Sequence, residues 1–182
     1  MSDATAAPHD GRMTTTTLLD DAFAHHAWAT IRIIDACEPL TDAQLGSSVP
    51  GTFGTILETL RHTVGADCWY LHRLSGGAHR TFDEDAADLA GLRAETERHD
   101  TEWLALLAAG QDADEVVSVH REDGSATHAP RGLRLAQALH HGTDHRSQIC
   151  TALTALGIEP PEIDLWSWGM ATGRSTEVEA TS

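Results

Sequence analysis

The sequence predicts an all-α protein, a four-helix bundle with a short irregular or hairpin-like connection before the last helix. Three observations support this fold class. Apolar residues recur at three- and four-residue steps in four long stretches, as on one face of an amphipathic helix. Each stretch ends at a proline or glycine signal. The longest connection, about 115–130, alternates weakly and contains a Glu-Asp-Gly turn signal that is typical of a hairpin.

The first two predicted helices flank a break that is rich in proline and glycine. The first helix spans about 18–38 and ends or bends at Pro39, because a residue before proline is biased away from helical geometry. The second helix runs to about residue 74. It opens at Thr55-Ile56-Leu57-Glu58, a capping box in which threonine and glutamate each accept a hydrogen bond from the other's backbone amide.

The last two predicted helices flank the predicted hairpin. One spans about 89–109 and is followed by Gly110, a plausible C-terminal cap. The other spans about 132–156 and is followed by Gly157, with prolines a few residues later. Four long helices that are joined by short connections favour a bundle around one core.

A single domain is predicted at 14–169, between a disordered N-terminal tail at 1–13 and a flexible C-terminal tail at 170–182. A chain of 182 residues with 41% apolar residues can bury a core without disulfides. Its three cysteines form no C-x-x-C pair, and no signal peptide is recognisable. Both features fit a reducing compartment, so the predicted localisation is cytoplasmic.

The composition excludes several partners and chemistries. The net charge is −16 with neutral histidine, whereas nucleic acids and anionic membranes both require a basic surface on the protein. We therefore expect neither as a partner. No apolar run approaches the roughly 20 residues of a membrane-spanning helix. The chain has no lysine, which excludes Schiff-base and lysine general-base catalysis.

Two of the twelve histidines form a His-x-x-x-His pattern on the last long helix. His141 and His145 are one helical turn apart and nearly in line, so both imidazoles can reach one metal ion. Imidazoles that face a bundle core need partners for their ring nitrogens, and a metal ion is one such partner. The spacing alone leaves core or surface histidines open as alternatives. Gly142 stands where a zincin protease has glutamate, so that class is disfavoured.

His62 on the second predicted helix is the candidate third ligand. It lies near the buried side of that helix, and a third imidazole would complete a three-nitrogen site with open positions for water or substrate. Catalytic metal sites keep such open positions, whereas structural sites do not. The position of His62 fits a lone histidine beside the core equally well.

Three stretches of the chain resemble the DinB/YfiT-like superfamily of metal-binding four-helix bundles: 23–28, 54–74 and 141–149. In the second stretch, His62 precedes a tryptophan and an Arg-Leu pair, similar to the single ligand histidine of the family's second helix. The third stretch is similar to the family pattern H-x-x-x-H-R-G-Q-I, with Ser147 at the position of the usual glycine.

The resemblance implies a histidine triad of His62, His141 and His145 that binds zinc, nickel, iron or manganese. Family members with known activity include a maleylpyruvate isomerase and S-transferases that use thiols such as bacillithiol or mycothiol, and many members look dimeric. We therefore expect a metal-dependent transferase that acts on a low-molecular-weight thiol and an electrophile, and we expect the protein to be a homodimer.

Two alternatives to this function remain open. One is a metal-dependent hydrolase, which needs a general acid or base, for which the sequence offers His25, His26 or Asp67. The other is a non-catalytic metal- or ligand-binding stress protein. An enzyme would have an apolar-lined pocket beside an open metal position, whereas an inert protein would enclose its metal fully.

Overall fold

Four long helices form most of the chain in the computed structural model, which describes residues 16–110 and 112–178. Each long helix begins and ends within one residue of its predicted position. The predicted N-terminal tail at 1–13 lies outside the described residues. The elements in chain order are α1 (Leu18–Cys37), α2 (Asp42–Leu45), α3 (Ile56–Leu74), α4 (Leu89–Ala108), β1 (Val116–His120), β2 (Ala126–Pro130), α5 (Arg131–Ala155) and α6 (Leu165–Thr172).

Side-chain caps fix the starts of the first three long helices. The predicted capping box is present at α3, where the Glu58 amide donates to Thr55 Oγ1 at 3.2 Å and the Thr55 amide donates to Glu58 Oε2 at 2.9 Å. Thr17 and Asp20 form the same reciprocal pair at α1, and Asp88 caps α4. These caps satisfy amides of the first turn that have no partner within the helix.

The four long helices pack in a closed cycle, in which α1 and α3 each contact both α4 and α5. Two apolar clusters fill the interior. One contains Ile33, Leu60 and Ile149 among its members. The other is centred on Phe23 and Trp103, whose ring centroids are 4.4 Å apart. Between the two clusters lies a layer of buried polar side chains, which we call the polar layer: His26 and Thr30 on α1, Thr63 and Asp67 on α3, Glu95 and His99 on α4, and Arg146 on α5.

The connection before α5 is a regular antiparallel hairpin. Val116 pairs with Pro130 and His120 pairs with Ala126, so α5 starts directly where β2 ends. Arg134 on α5 donates to the carbonyls of Val117 and Thr127 at 3.0 and 3.1 Å, which fixes the hairpin against the helix. The chain is therefore mostly helical with a small two-stranded sheet, and the all-α prediction was too narrow.

Helix α6 was not predicted. Asp164 caps it by accepting hydrogen bonds from the amides of Trp166 and Ser167. Trp168 is buried under the helix, whereas Trp166 is 79% exposed. Because α6 continues to Thr172, its last three residues lie in the segment that was predicted as a flexible tail from residue 170. None of the described helices is both long and apolar enough to cross a membrane.

Candidate metal centre

The three histidines that were predicted as metal ligands converge at one point between α3 and α5. His141 Nε2 lies 3.0 Å from His62 Nε2 and 3.1 Å from His145 Nε2. In a tetrahedral site with metal–nitrogen distances of about 2.0–2.1 Å, neighbouring ligand nitrogens would be about 3.3 Å apart. A neutral imidazole has only one N–H, so three converging nitrogens cannot all satisfy one another by donating. The arrangement fits a shared cation.

The protonation of the triad also suits metal binding. The pKa of each of the three imidazoles is lowered, and burial is the largest cause in every case. For His141 the pKa falls to about 4, because His145 and His62 add their own repulsion to the effect of burial. The imidazoles are therefore neutral near pH 7, which is the form that can ligate a metal ion.

Gln148 and Phe53 orient the triad. Gln148 Oε1 lies 3.3 Å from His145 Nδ1 and accepts a hydrogen bond from the Phe53 amide at 2.8 Å. If Nδ1 of His145 carries the proton and donates to this oxygen, its Nε2 has a free lone pair for a metal. The Phe53 ring stacks on His62 at 4.2 Å between centroids, with only 11° between the planes. Gln148 therefore connects His145 to the segment that carries Phe53.

A cavity of about 510 Å³ lies beside the triad, and His62 and His141 form part of its wall. Trp69, Tyr70 and Phe82 are among the other lining residues, so much of the wall is aromatic. A site of this size holds a small organic molecule next to the ligand nitrogens. The geometry thus combines three converging imidazoles, which could hold a metal ion, with a substrate-sized space.

Glu84 also lines this cavity, and sequence reasoning missed it as a site residue. Its carboxylate lies over Gly65 on α3, so close that a Cβ at residue 65 would be 1.4 Å from Glu84 Oε2. No described residue forms a hydrogen bond or ion pair with this carboxylate. Burial raises its pKa, and Asp85 raises it further. A glycine within an otherwise regular helix, one turn after His62, was the only sequence signal for this contact.

The sequence-derived acid–base candidates do not line the cavity. His26 and Asp67 are buried in the polar layer, where their Nε2 and Oδ2 atoms are 2.7 Å apart. Arg146 donates to His26 Nδ1 at 3.1 Å, so Nε2 carries the proton that His26 donates to Asp67. His25 Nε2 lies 2.7 Å from the carbonyl oxygen of Ile163, beside α6.

Other polar residues of α5 point away from the triad. His140 and Asp144 are both exposed, because each precedes a triad histidine and is rotated about 100° from it around the helix. Arg146 connects α5 to α1, because its guanidinium also donates to Thr30 Oγ1 at 3.1 Å. Burial lowers the pKa of Arg146 to about 10.

Solved structures with a similar fold include two helical proteins from bacteria. A DinB family member from Shewanella denitrificans superposes with a TM-score of 0.60 at 16% identity, covering 81% of this chain and 91% of the other. YfiT from Bacillus subtilis superposes with a TM-score of 0.56 at 18% identity, covering 80% of this chain and 93% of the other. YfiT is described as a probable metal-dependent hydrolase with an unusual four-helix bundle topology.

Sequence comparison places the chain in a family directly. No functionally curated protein matches it significantly. The sequence model of the DinB family, however, matches residues 13–176, which include all four long helices and the three converging histidines. The chain therefore belongs to the DinB family.

Proposed function

We propose that the protein is a metal-dependent transferase that joins a low-molecular-weight thiol to an electrophile, at a divalent ion held by His62, His141 and His145. The observation that carries the proposal is the convergence of three neutral imidazoles on one point beside a cavity of about 510 Å³. We assign the four long helices to the four-helix-bundle type described for YfiT, since they pack in a closed cycle.

His62, His141 and His145 would hold the ion as neutral ligands, and a divalent ion held there would lower the pKa of a thiol or water bound to it. The sulfur of the thiol then forms a bond to the electrophilic carbon, and the leaving group departs with the bonding electron pair. The proton of the thiol passes to solvent. Imidazole suits zinc, nickel, iron and manganese, so all four are candidate ions.

The protein's own cysteines are poor nucleophiles, which favours a thiol supplied by the substrate. Burial raises the pKa of Cys37 to about 12 and also raises the pKa of Cys68 and Cys150. Each thiol is therefore protonated near pH 7, whereas the thiolate is the reactive form. The aromatic wall of the cavity instead offers a surface for the apolar part of an electrophile.

Glu84 favours a second candidate function, a metal-dependent hydrolase of the kind named for YfiT. Its carboxylate lines the same cavity and has a raised pKa, which brings it towards the range of a general base near neutral pH. In that reaction Glu84 takes a proton from the attacking water. The non-catalytic binding protein is less favoured, since the cavity gives a substrate access to the ligand nitrogens.

The test measures metal content and catalytic activity of the untagged protein. Bound metal is first removed with a chelator, and each of the four ions is then added back separately. Alanine at His62, His141 or His145 should lower the metal content by one ion per chain, whereas His140→Ala should leave it unchanged. Loaded protein should couple mycothiol or bacillithiol to monochlorobimane, a fluorogenic electrophile, and the triad variants should not.

Hydrolysis of a nitrophenyl ester distinguishes the second candidate. If the protein is a hydrolase, ester cleavage should depend on the triad and fall sharply in Glu84→Gln, while thiol coupling is absent. Metal that binds to the triad without either activity would support the binding protein. Metal content that is unchanged in all three triad variants would overturn the site itself.

A further inference from the structure

We propose that Cys68, Glu95 and His99 form a second divalent-metal site, buried between α3 and α4 and distinct from the histidine triad. Cys68 comes from α3, and Glu95 and His99 lie one turn apart on α4. One ligand atom from each residue lies within 4.8 Å of the other two. A thiolate, a carboxylate and an imidazole are the donors that zinc binds in proteins.

The unsatisfied ring of His99 is the observation that points to a ligand. This side chain is 1% exposed, and neither Nδ1 nor Nε2 forms a hydrogen bond with any described residue. Nε2 lies 3.3 Å from Glu95 Oε1, without hydrogen-bonding geometry. A buried polar group that lacks a partner is destabilising, so a bound ion or water is the usual explanation for one.

The neighbouring charges position the carboxylate of Glu95 for such an ion. Arg80 and Arg98 both bond to Glu95, which is itself 2% exposed, and they hold its carboxylate beside His99 and Cys68. Oε2 accepts hydrogen bonds from both Arg80 and Arg98, whereas Oε1 accepts from Arg98 alone. Oε1, which also lies nearest to His99, therefore has a lone pair left for a metal. Ligating carboxylates in metal sites are commonly held by hydrogen bonds of this kind.

The cluster needs only a small closure to match a zinc site. With zinc–sulfur distances of about 2.3 Å and zinc–nitrogen or zinc–oxygen distances of about 2.1 Å, tetrahedral ligands would be about 3.3–3.6 Å apart. Without an ion, the Cys68 thiol donates to the Arg80 carbonyl at 3.1 Å. Binding would release that proton, because the thiolate is the ligand.

A metal ion can reach the cluster through the cavity already described. Cys68 is one of the residues that line this cavity, together with His62 and His141 of the triad. Cys68 therefore connects the second site to this space, whereas Glu95 and His99 lie behind it. An entry path is a requirement for any buried metal site.

Cobalt(II) titration of the full chain tests the proposal, because cobalt bound to a thiolate shows a near-ultraviolet charge-transfer absorption that an all-imidazole site does not. The metal-free protein would be kept reduced with a phosphine, which does not compete as a thiol. Two ions per chain should bind, one of them with the thiolate absorption. His141→Ala should lose one ion and keep the absorption.

Variants of Cys68, His99 and Cys150 decide whether Cys68 and His99 bind the second ion. Cys68→Ser and His99→Ala should each bind one ion and lack the thiolate absorption, while Cys150→Ser should retain it. Circular dichroism would check that each variant is folded, and Cys68→Ala provides a second substitution at the same position. A single bound ion without thiolate absorption would overturn the proposal and leave an ordered water beside His99. Absorption that persists in both Cys68 variants would overturn it as well.

Discussion

Two glycines on the long helices leave space for side chains that approach from other elements. Gly142 lies between the ligands His141 and His145, and a Cβ there would be 2.3 Å from His26 Cε1 and 2.9 Å from Arg146 Nη1. Gly65 on α3 gives the corresponding space to Glu84. The two differ in what surrounds them, since the neighbours of Gly142 are fully buried, whereas Glu84 is half-buried.

Gly142→Ala should therefore destabilise the protein much more than Gly65→Ala. Overpacking a rigid interior costs about 1–3 kcal/mol, and His26 is held by Asp67 and Arg146 and cannot move aside. At Gly65 the Glu84 carboxylate can swing towards solvent, and alanine gains about 1 kcal/mol of helix propensity. Urea unfolding of the metal-free variants measures the difference. Equal losses would contradict a rigid polar layer.

The convergence of the three histidines could be predicted from the sequence, while their surroundings could not. His141 and His145 follow from four-residue spacing on one helix, and the family pattern pointed to His62. His26 and Asp67 are 41 residues apart and on different helices, so no local pattern relates them. The same applies to Arg146, which is 120 residues from His26.

At the scale of elements, Gln148 on α5 is hydrogen-bonded to the segment between α2 and α3. Gln148 accepts a hydrogen bond from the Phe53 amide, and it is also the neighbour of His145 Nδ1. This segment carries the Phe53 ring that stacks on His62. Gln148 thus connects the orientations of two ligands that come from different helices.

Gln148→Ala should weaken metal binding by the triad without abolishing it. Loss of a residue that orients metal ligands typically costs 10–100-fold in affinity, roughly the range expected here. Ser147→Ala is the control, because Ser147 is an exposed neighbour on the same helix. Competition against a zinc-responsive dye measures both dissociation constants. Equal affinities for the two variants would show that Gln148 does not orient the site.

Helix boundaries were predictable where a cap has a local signal. Thr55 with Glu58 located the start of α3, and Gly110 and Gly157 located the ends of α4 and α5. Helix α6 has an equivalent signal in Asp164, which caps it. It was missed because two prolines precede it and a polar tail follows, and because its eight residues are too few to show a periodic apolar face.

For the whole molecule, the polar layer and the triad together bury many histidines in the neutral form. The pKa values of His62, His141 and His145 are lowered, as are those of His25 and His99. Burial is the largest cause for each, because it disfavours the charged imidazolium. Their ordinary pKa in the unfolded chain is 6.5, and for His141 the folded value is about 4.

The metal-free protein should accordingly lose stability as the pH falls from about 6.5 towards 4. In that window the unfolded chain takes up protons on these histidines while the folded chain does not, so protonation favours unfolding. Urea unfolding at several pH values, with a chelator present, measures the slope. The double variant His62→Gln/His141→Gln should show a shallower slope. A free energy of unfolding that stays constant between pH 6.5 and 4.5 would contradict the burial of neutral imidazoles.

The separation of the ligands along the chain has a consequence for biosynthesis. His62 and His141 are 79 residues apart, and they meet only because α3 packs on α5. Closing so long a loop has an entropic cost that is recovered only when distant helices dock. During synthesis His62 leaves the ribosome well before His141 and His145, so the triad cannot assemble until those two residues have emerged. An ion that binds all three histidines can therefore do so only after α3 and α5 have docked.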